Sequence, residues 1–223
     1  MSKIIDGIIR FKEEAHEKNK ELFESLSQGQ TPEALFITCS DSRIDPNLMV
    51  DTDPGELFII RNAGNIVPPH NNQTGGVTAS IEYAVAALHI KHIVICGHSC
   101  CGAMRGVIDP DSVKDLPHVS QWLSFAAAAK QIVDEKYPGA SAEERLDYLV
   151  EENVLLQRQH IVTHPQVAAK LATNKLIIHA WCYDIGSGDV RAYDEDQKRF
   201  LPVAEKYKDD AERLAREALD CGS

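Results

Sequence analysis

The stretch HIVICGHSCCGAM, residues 92–104, joins a β-branched apolar run to a turn and to the start of a helix. Its first part, HIVICG (92–97), predicts a buried strand, and the glycine after the cysteines begins a predicted helix. His98, Cys100 and Cys101 lie between the two elements. The stretch therefore predicts a strand–turn–helix unit that carries an imidazole and two thiols at the carboxyl end of its strand.

Similar apolar runs alternate with segments of helical periodicity along the rest of the chain. Strands are further predicted at ALFITC (34–39), LFIIR (57–61), KLIIHAWCYDI (175–185) and VRAYD (190–194). Helices are predicted at 3–26, 78–90, 119–136, 141–160 and 203–219, with a short one around Pro165. This alternation predicts an α/β fold with a mostly parallel central sheet flanked by helices. We expect four parallel strands plus an antiparallel edge strand.

Helix-start signals and length define the predicted domain organisation. Ser141 with Glu144, and Thr163 with Gln166, have the spacing of capping boxes. No internal repeat or low-complexity linker interrupts the 223 residues, which suits a single domain. We expect one domain over 1–223, with an N-terminal helical arm (1–30) and a C-terminal helix and tail (203–223). The apolar side of this amphipathic arm must pack against another protein surface, and a partner subunit could supply that surface.

Composition excludes some classes of partner and indicates a compartment. The formal net charge of −11 argues against nucleic acid or an anionic membrane as the main partner, because both require clustered Lys and Arg. The N-terminal segment lacks the apolar core of a signal peptide, and no apolar stretch is long enough to span a bilayer. We therefore expect a cytoplasmic protein. Its six cysteines (39, 96, 100, 101, 182, 221) are then free thiols or metal ligands.

Two strand ends carry groups that suit a metal ion. In parallel sheets the carboxyl ends of strands lie at one edge, so Cys39 and His98 should meet there. Cys101 follows His98 with a His-x-x-Cys spacing that lets both side chains converge on one ion, whereas the His-x-Cys spacing of Cys100 is less suitable. Two thiolates and one imidazole suit zinc, and three protein ligands leave the fourth position open, as in catalytic zinc sites. Either segment alone would more often be structural; their combination predicts zinc.

Asp41 and Arg43 follow Cys39 in the segment CSDSR (39–43). A carboxylate beside a zinc-bound hydroxide can accept its proton, and a guanidinium can hold that carboxylate ionised. An exposed ion pair in a turn would contribute little, but the neighbouring ligand favours a catalytic role.

Other catalytic motifs do not fit the sequence. The three residues between Cys39 and Arg43 are too few for the phosphate loop of a cysteine phosphatase. No C-x-x-C pair, P-loop or dinucleotide fingerprint is present.

Several motifs together resemble the β-class carbonic anhydrases. They are CSDSRIDPNLM, PGELFIIRNAGNIVPP, SIEYAVAALHIKHIVICGHSCCGAM and IIHAWCYDIGSGDV, in order and over roughly residues 1–200. The resemblance implies reversible hydration of carbon dioxide to bicarbonate and a proton, at one zinc ion per subunit held by Cys39, His98 and Cys101. It implies a pocket at a dimer interface, with the N-terminal helix against the partner, in a homodimer or homotetramer.

The resemblance also assigns roles to further residues. Asp41 and Arg43 occupy the positions of the family's catalytic dyad. Residues that match substrate-pocket positions are Gln30, Phe58, Tyr83 and Gly102. Carbon dioxide is small and neutral, so an apolar pocket is sufficient for it.

A regulatory bicarbonate site is known in some family members, in which Asp41 would leave its arginine and become the fourth zinc ligand of a closed, inactive state. Arg61 and Tyr183 match two of its three positions, but Phe36 stands where the third position is tryptophan. Phenylalanine lacks the indole N–H. We therefore expect an enzyme that is open at neutral pH, with Asp41 paired to Arg43.

Two alternative functions compete with carbonate dehydratase activity. A hydrolase of carbonyl sulfide or carbon disulfide could use the same zinc hydroxide, and pocket width would decide between the substrates. A non-catalytic zinc-binding scaffold is the other alternative, although a structural site would not need the Asp41–Arg43 pair and would more often supply a fourth protein ligand.

Overall fold

The computed structural model describes residues 1–72 and 74–210, and the described residues form a six-stranded mixed sheet. The strands are β1 Ala34–Cys39, β2 Leu57–Asn62, β3 His92–His98, β4 Ile177–Tyr183, β5 Val190–Asp194 and β6 Arg199–Pro202. Their order across the sheet is β2-β1-β3-β4-β5-β6. The first four in that order run parallel, and β5 and β6 are antiparallel to their neighbours.

The predicted fold class is confirmed, and the sheet continues one strand beyond the predicted edge. The four parallel strands and the antiparallel β5 lie where the apolar runs indicated. However, β5 is not at the edge, because Tyr193 pairs with Phe200 in β6. The segment RFLP of β6 has only two apolar residues and ends in proline, so it carries almost none of the alternation that identifies a strand.

Ten α-helices surround this sheet in the described part of the chain. They are α1 Ser2–Arg10, α2 Lys20–Leu26, α3 Pro46–Val50, α4 Gly76–Glu82, α5 Gly102–Ile108, α6 Pro117–Leu123, α7 Ala127–Lys136, α8 Ala142–Val162, α9 Pro165–Ala172 and α10 Val203–Lys206. Wider π-type turns occupy Phe11–His16 and Tyr83–Ala87, and 3₁₀ turns occupy Pro110–Val113 and Ser124–Ala126.

The helix predictions differ from the structure mainly at breaks within a helical segment. The predicted helix over 3–26 is divided into α1 and α2, and the one over 119–136 is divided by a 3₁₀ turn. Apolar spacing is nearly the same across such turns, so periodicity does not reveal them. The predicted C-terminal helix over 203–219 is described only as far as residue 210. Its remainder, and Cys221, lie outside the described residues.

One of the two predicted helix caps is wrong. Ser141 and Glu144 form the predicted capping box at the start of α8. At the start of α9, however, the N-cap residue is His164, and its side chain makes no capping hydrogen bond. The hydroxyl of Thr163 instead donates to the carbonyl oxygen of His160, in the last turn of α8, and accepts a hydrogen bond from the backbone N–H of His70.

The sheet has one heavily covered face and one sparsely covered face. Leu35, Ile37 and Cys39 point into the main core with the buried side of α8. Phe36, Val94 and Cys96 point the opposite way and form a smaller cluster. This alternation follows from the pleat of β1 and β3, in which successive side chains face opposite sides.

The N-terminal arm leaves apolar surface uncovered. No residue of α1 is buried, and its exposed apolar side chains are Ile4, Ile5, Ile8 and Ile9. Among the described helices, none is both long and apolar enough to cross a membrane.

Candidate metal centre and active site

Three buried side chains converge at the carboxyl edge of the sheet. Cys39 is the last residue of β1, His98 the last of the adjacent β3, and Cys101 the N-cap residue of α5. Their ligand atoms all lie within 4.8 Å of one another. Cys100 adopts a left-handed backbone with φ of 56° and is exposed, so the turn brings the second thiol of the pair to the cluster rather than the first.

The imidazole of His98 is oriented with one nitrogen free. Its Nδ1 lies 2.9 Å from the carbonyl oxygen of Ser99, which can only accept, so Nδ1 carries the hydrogen. In the neutral tautomer with this hydrogen, Nε2 carries a lone pair; it is fully buried and has no hydrogen-bond partner among the described residues. A buried polar atom without a partner is costly, and a metal ion at the cluster would satisfy it.

The two thiols of the cluster differ in their pKa values. The hydrogen bond from Cys101 lowers the pKa of the Cys39 thiol to about 4 against the opposing effect of burial, with smaller help from the backbone N–H of Gly64. The same sulfur–sulfur contact, together with burial, raises the pKa of the Cys101 thiol. The cluster thus holds one thiolate readily, and a divalent cation would favour the second.

Asp41 and Arg43 form a two-point ion pair beside the cluster. Nε and Nη2 of Arg43 donate to Oδ1 and Oδ2 of Asp41 at 2.9 and 2.7 Å. Oδ2 of Asp41 also lies 3.9 Å from Nε2 of His98. The hydrogen bonds from Arg43 hold the pKa of the Asp41 carboxyl well below its usual range, so the carboxylate is ionised at neutral pH.

Arg61 holds the backbone that carries this pair. Its Nε donates to the carbonyl oxygen of Cys39 at 3.1 Å, and its Nη2 donates to the carbonyl oxygen of Asp41 at 2.7 Å. Arg43 adds a 3.2 Å hydrogen bond to the carbonyl oxygen of Cys100. The two arginines therefore connect the loop after β1 with β2 and with the turn after β3.

The residues predicted for the substrate pocket do not all lie near the cluster. Gly102 follows Cys101 directly, at the start of α5. Phe58 and Tyr83 contact each other, with ring centroids 6.0 Å apart. Phe58 pairs with Leu35, four residues before the end of β1 at Cys39, which is about 13 Å at about 3.3 Å per residue. Gln30 is exposed in the segment between α2 and β1.

The positions predicted for a regulatory site lie on the sparsely covered face. Phe36 is buried there, and its ring contacts that of Trp181 edge-on at 6.1 Å. The indole N–H of Trp181 donates to the hydroxyl of Tyr207 at 3.2 Å. An indole therefore lies near Phe36, but its N–H is already used. Tyr183 packs against the apolar cluster of Phe36, Val94 and Cys96 on this face.

Sequence reasoning missed the residues that surround the sulfur of Cys39. The backbone N–H of Gly64, in the loop after β2, donates to this sulfur at 3.3 Å. The carbonyl oxygen of Gly64 is held by Asn153, which lies on the buried side of α8 with Gln157. An Asn and a Gln four residues apart among the apolar positions of a helix were the available signal, since buried amides need partners.

The donor set fits a zinc ion. It contains two thiols and an imidazole nitrogen whose lone pair is free, and it leaves room for a fourth, non-protein ligand, since the described residues supply no further His, Cys or carboxylate to the group. Borderline-soft zinc prefers such ligands in tetrahedral arrangement, and an open fourth position is typical of catalytic sites.

Comparisons with known proteins agree with this geometry. The family model described as "Carbonic anhydrase" matches residues 34–190. A carbonic anhydrase of Pseudomonas aeruginosa is 48% identical over 205 residues, covering 92% of this chain and 93% of the relative. The solved structure of the β-carbonic anhydrase CcaA superimposes with a TM-score of 0.88 at 42% identity, covering 91% of each chain. A structure described as one of two tetrameric β-carbonic anhydrases from Sordaria macrospora gives a TM-score of 0.78 at 30% identity, covering 86% of this chain and 95% of the other. The chain therefore belongs to the carbonic anhydrase family, in its β class.

Proposed function

We propose that this protein is a carbonate dehydratase, a zinc lyase that reversibly hydrates carbon dioxide to bicarbonate and a proton. The observation that carries the proposal is the buried cluster of Cys39, Cys101 and His98, with Nε2 of His98 oriented inward and unpartnered. These three residues would hold the zinc ion. When bound, zinc lowers the pKa of a water molecule toward neutrality and so supplies hydroxide at ordinary pH.

Asp41 lies beside the ligand cluster, with its Oδ2 3.9 Å from Nε2 of His98, where it could contact a zinc-bound oxygen. With zinc bound, its ionised carboxylate would accept a hydrogen bond from the nucleophile and orient it toward the carbon of the substrate. Arg43 keeps both carboxylate oxygens in place. With Asp41 held in this way, the enzyme is open at neutral pH, and Asp41 would become a metal ligand only in a closed state.

A second copy of the chain completes the substrate pocket. Phe58 lies about 13 Å back along the sheet from Cys39 of its own chain, and Tyr83 contacts Phe58, so a second protomer would bring these aromatic side chains to the cluster. The uncovered apolar side of α1 supports this arrangement, since the arm (1–30) of a single domain needs a partner surface. Gln30, at the end of that arm, and Gly102 complete the pocket. The protein is a homodimer, and pairing of dimers would give a tetramer like those of Sordaria macrospora.

Bicarbonate regulation through Arg61 and Tyr183 is not part of this proposal. The guanidinium of Arg61 is engaged by the carbonyl oxygens of Cys39 and Asp41, and Phe36 offers no hydrogen bond at the third position. We further place the protein in the cytoplasm, because the five cysteines in the described part of the chain form no disulfide bond with one another.

Stopped-flow hydration of carbon dioxide, with acetazolamide as an inhibitor control and with metal analysis of the same sample, tests the activity. We expect inhibitable hydration by protein that contains one zinc per chain. Zinc-loaded protein that is inactive toward carbon dioxide but hydrolyses carbonyl sulfide or carbon disulfide would contradict the substrate. Inactivity toward all three would indicate a scaffold. Light scattering after size exclusion tests the dimer, and a monomer that is fully active would contradict the shared pocket.

A further inference from the structure

Side chains hold the loop after β2 at several of its peptide units. The indole N–H of Trp122 donates to the carbonyl oxygen of Ala63 at 2.9 Å. The amide of Asn62 binds both backbone groups of Ile66, with Oδ1 accepting at 2.7 Å and Nδ2 donating at 2.9 Å. A loop held in this way has few alternative conformations, so the direction of each of its backbone N–H groups is defined.

The buried amides of α8 hold two positions of this loop, one of which contacts the cluster. Nδ2 of Asn153 donates to the carbonyl oxygen of Gly64 at 3.0 Å. Oδ1 of Asn153 accepts from Nε2 of Gln157 at 2.9 Å, and Oε1 of Gln157 accepts from the backbone N–H of Val67 at 2.9 Å. Both side chains are fully buried. They therefore connect the rigid helix α8 to both ends of the Gly64–Val67 segment.

The first residue of this segment, Gly64, contacts a sulfur of the metal-ligand cluster. Gly64 has φ of 80°, a conformation that glycine adopts without strain, and its N–H points at the sulfur of Cys39 from 3.3 Å. A side chain at this position would approach the Met104 and Ala103 side chains to 2.9 and 3.1 Å. The backbone of Gly64 thus lies in a narrow space between α5 and Cys39.

We propose that Asn153 and Gln157 are positioning residues of the metal centre, which act from α8 through the Gly64 N–H on the sulfur of Cys39. Neither residue belongs to the cluster of ligand atoms. A hydrogen bond to a ligand sulfur fixes its orientation and withdraws electron density from it, and losing such outer contacts typically weakens metal binding by about 10–100-fold. The proposal rests on the zinc ligands proposed above.

Cobalt substitution tests the proposal by a readout that a general loss of stability would not change. The variants are Asn153→Leu and Gln157→Met, which keep the approximate size of each side chain and remove its hydrogen bonds. The matched control is Leu149→Ala, which lies fully buried one turn earlier on α8 and makes no side-chain hydrogen bond. For each protein we would record the thiolate-to-cobalt charge-transfer absorption, the zinc affinity against a competing chelator, and the Tm.

We expect both amide variants to shift the charge-transfer band to longer wavelength and to weaken zinc binding about tenfold. Leu149→Ala should lower the Tm with both metal readouts unchanged. The proposal is overturned if the amide variants keep the wild-type band and affinity, or if Leu149→Ala changes them equally. Wild-type protein without any thiolate band would overturn the ligand assignment itself.

A milder variant and a measurement on the unmodified protein cover the case in which the amide variants do not fold. Asn153→Ser keeps a hydroxyl on a shorter side chain and should give a smaller change of the same sign. In the zinc-loaded wild type, hydrogen exchange of the Gly64 amide should be as slow as exchange in β3. Exchange of that amide within seconds would overturn the proposal.

Discussion

Asp41 receives two parallel hydrogen bonds from Arg43, at 2.9 and 2.7 Å, while its Oδ2 remains 3.9 Å from Nε2 of His98. Arg43 therefore fixes the carboxylate of Asp41 in an orientation that faces the imidazole of His98. Two-point pairs of this kind are shorter and more directional than ordinary ion pairs, which suits a group that must orient a reacting oxygen.

We expect Asp41→Asn to lower kcat for carbon dioxide hydration about 100-fold, because the amide cannot accept a proton and presents a donor to one side. Zinc content should stay at the wild-type level, since the substitution leaves the three ligands in place. Stopped-flow rates with metal analysis check this. Glu152→Gln, which removes the charged partner of Lys136, is the control and should keep full activity. An Asp41→Asn enzyme with wild-type kcat would contradict the assigned role.

The adjacent cysteines offer a matched pair of substitutions. Cys101→Ser should lose most of the bound zinc, because its sulfur belongs to the buried cluster. Cys100→Ser should keep zinc and activity, because Cys100 is exposed and only its backbone carbonyl contacts Arg43. Metal content per chain after dialysis measures both. Equal zinc loss in the two variants would show that the turn presents the thiols differently.

His179 should make stability depend on pH. Burial, helped by the neighbouring His92, lowers the pKa of His179 to about 4. Between pH 6.5 and about 4 the unfolded chain binds a proton at this residue and the folded chain does not. Stability therefore falls as pH falls through that window, by up to about 3 kcal/mol, and this loss is absent above pH 7.

Urea unfolding at pH 7 and at pH 4.5 checks the contribution of His179. We expect His179→Gln to lose less stability than the wild type between the two pH values, although burial also lowers the pKa of His160 and His164 and leaves part of the slope. His118→Gln, which changes an exposed histidine of α6, should keep the wild-type slope. Identical slopes in all three proteins would rule out the predicted effect of His179.

Gly97 should tolerate no side chain, because β3 approaches α8 closely at this point. A Cβ atom there would lie 2.7 Å from Cγ2 of Val154 and 3.1 Å from Cγ1 of Val150. We expect Gly97→Ala to lower the free energy of unfolding by about 1–3 kcal/mol, as overpacked cores do. Gly139→Ala, with nothing within 4 Å of the added atom, is the control and should change it little. Denaturant unfolding of the two variants and the wild type measures both changes, and equal midpoints for Gly97→Ala and Gly139→Ala would contradict the prediction.

The sequence was sufficient for the parallel sheet and for the meeting of Cys39, His98 and Cys101. Each strand of the parallel part contains a short apolar run, and local spacing within the turn after β3 distinguishes Cys101 from Cys100. These features depend on short stretches of chain. Strand β6 could not be predicted in the same way, because pairing with β5 and not its own composition makes it a strand.

The residues that surround the metal ligands could not be predicted from the sequence for a related reason. Gly64 and Asn153 are 89 residues apart, and only the packing of α8 on the sheet brings them together. Likewise, Thr163 has the spacing of an N-cap, yet the chain geometry at the end of α8 directs its hydroxyl to His160. Long-range contacts of this kind depend on which polar group is nearest after folding, which local pattern does not encode.

The two strands that end in Cys39 and His98 are also neighbours in the interior of the sheet, since β2 covers one side of β1 and β4 covers one side of β3. Interior ladders are the last to open in the native state, because every opening exposes hydrogen bonds on both sides. The rate of metal release from these strand ligands should therefore depend on unfolding of the whole domain rather than on fluctuation of a surface loop. A protein built in this way would keep its metal through brief local openings and lose it only when the fold itself is lost.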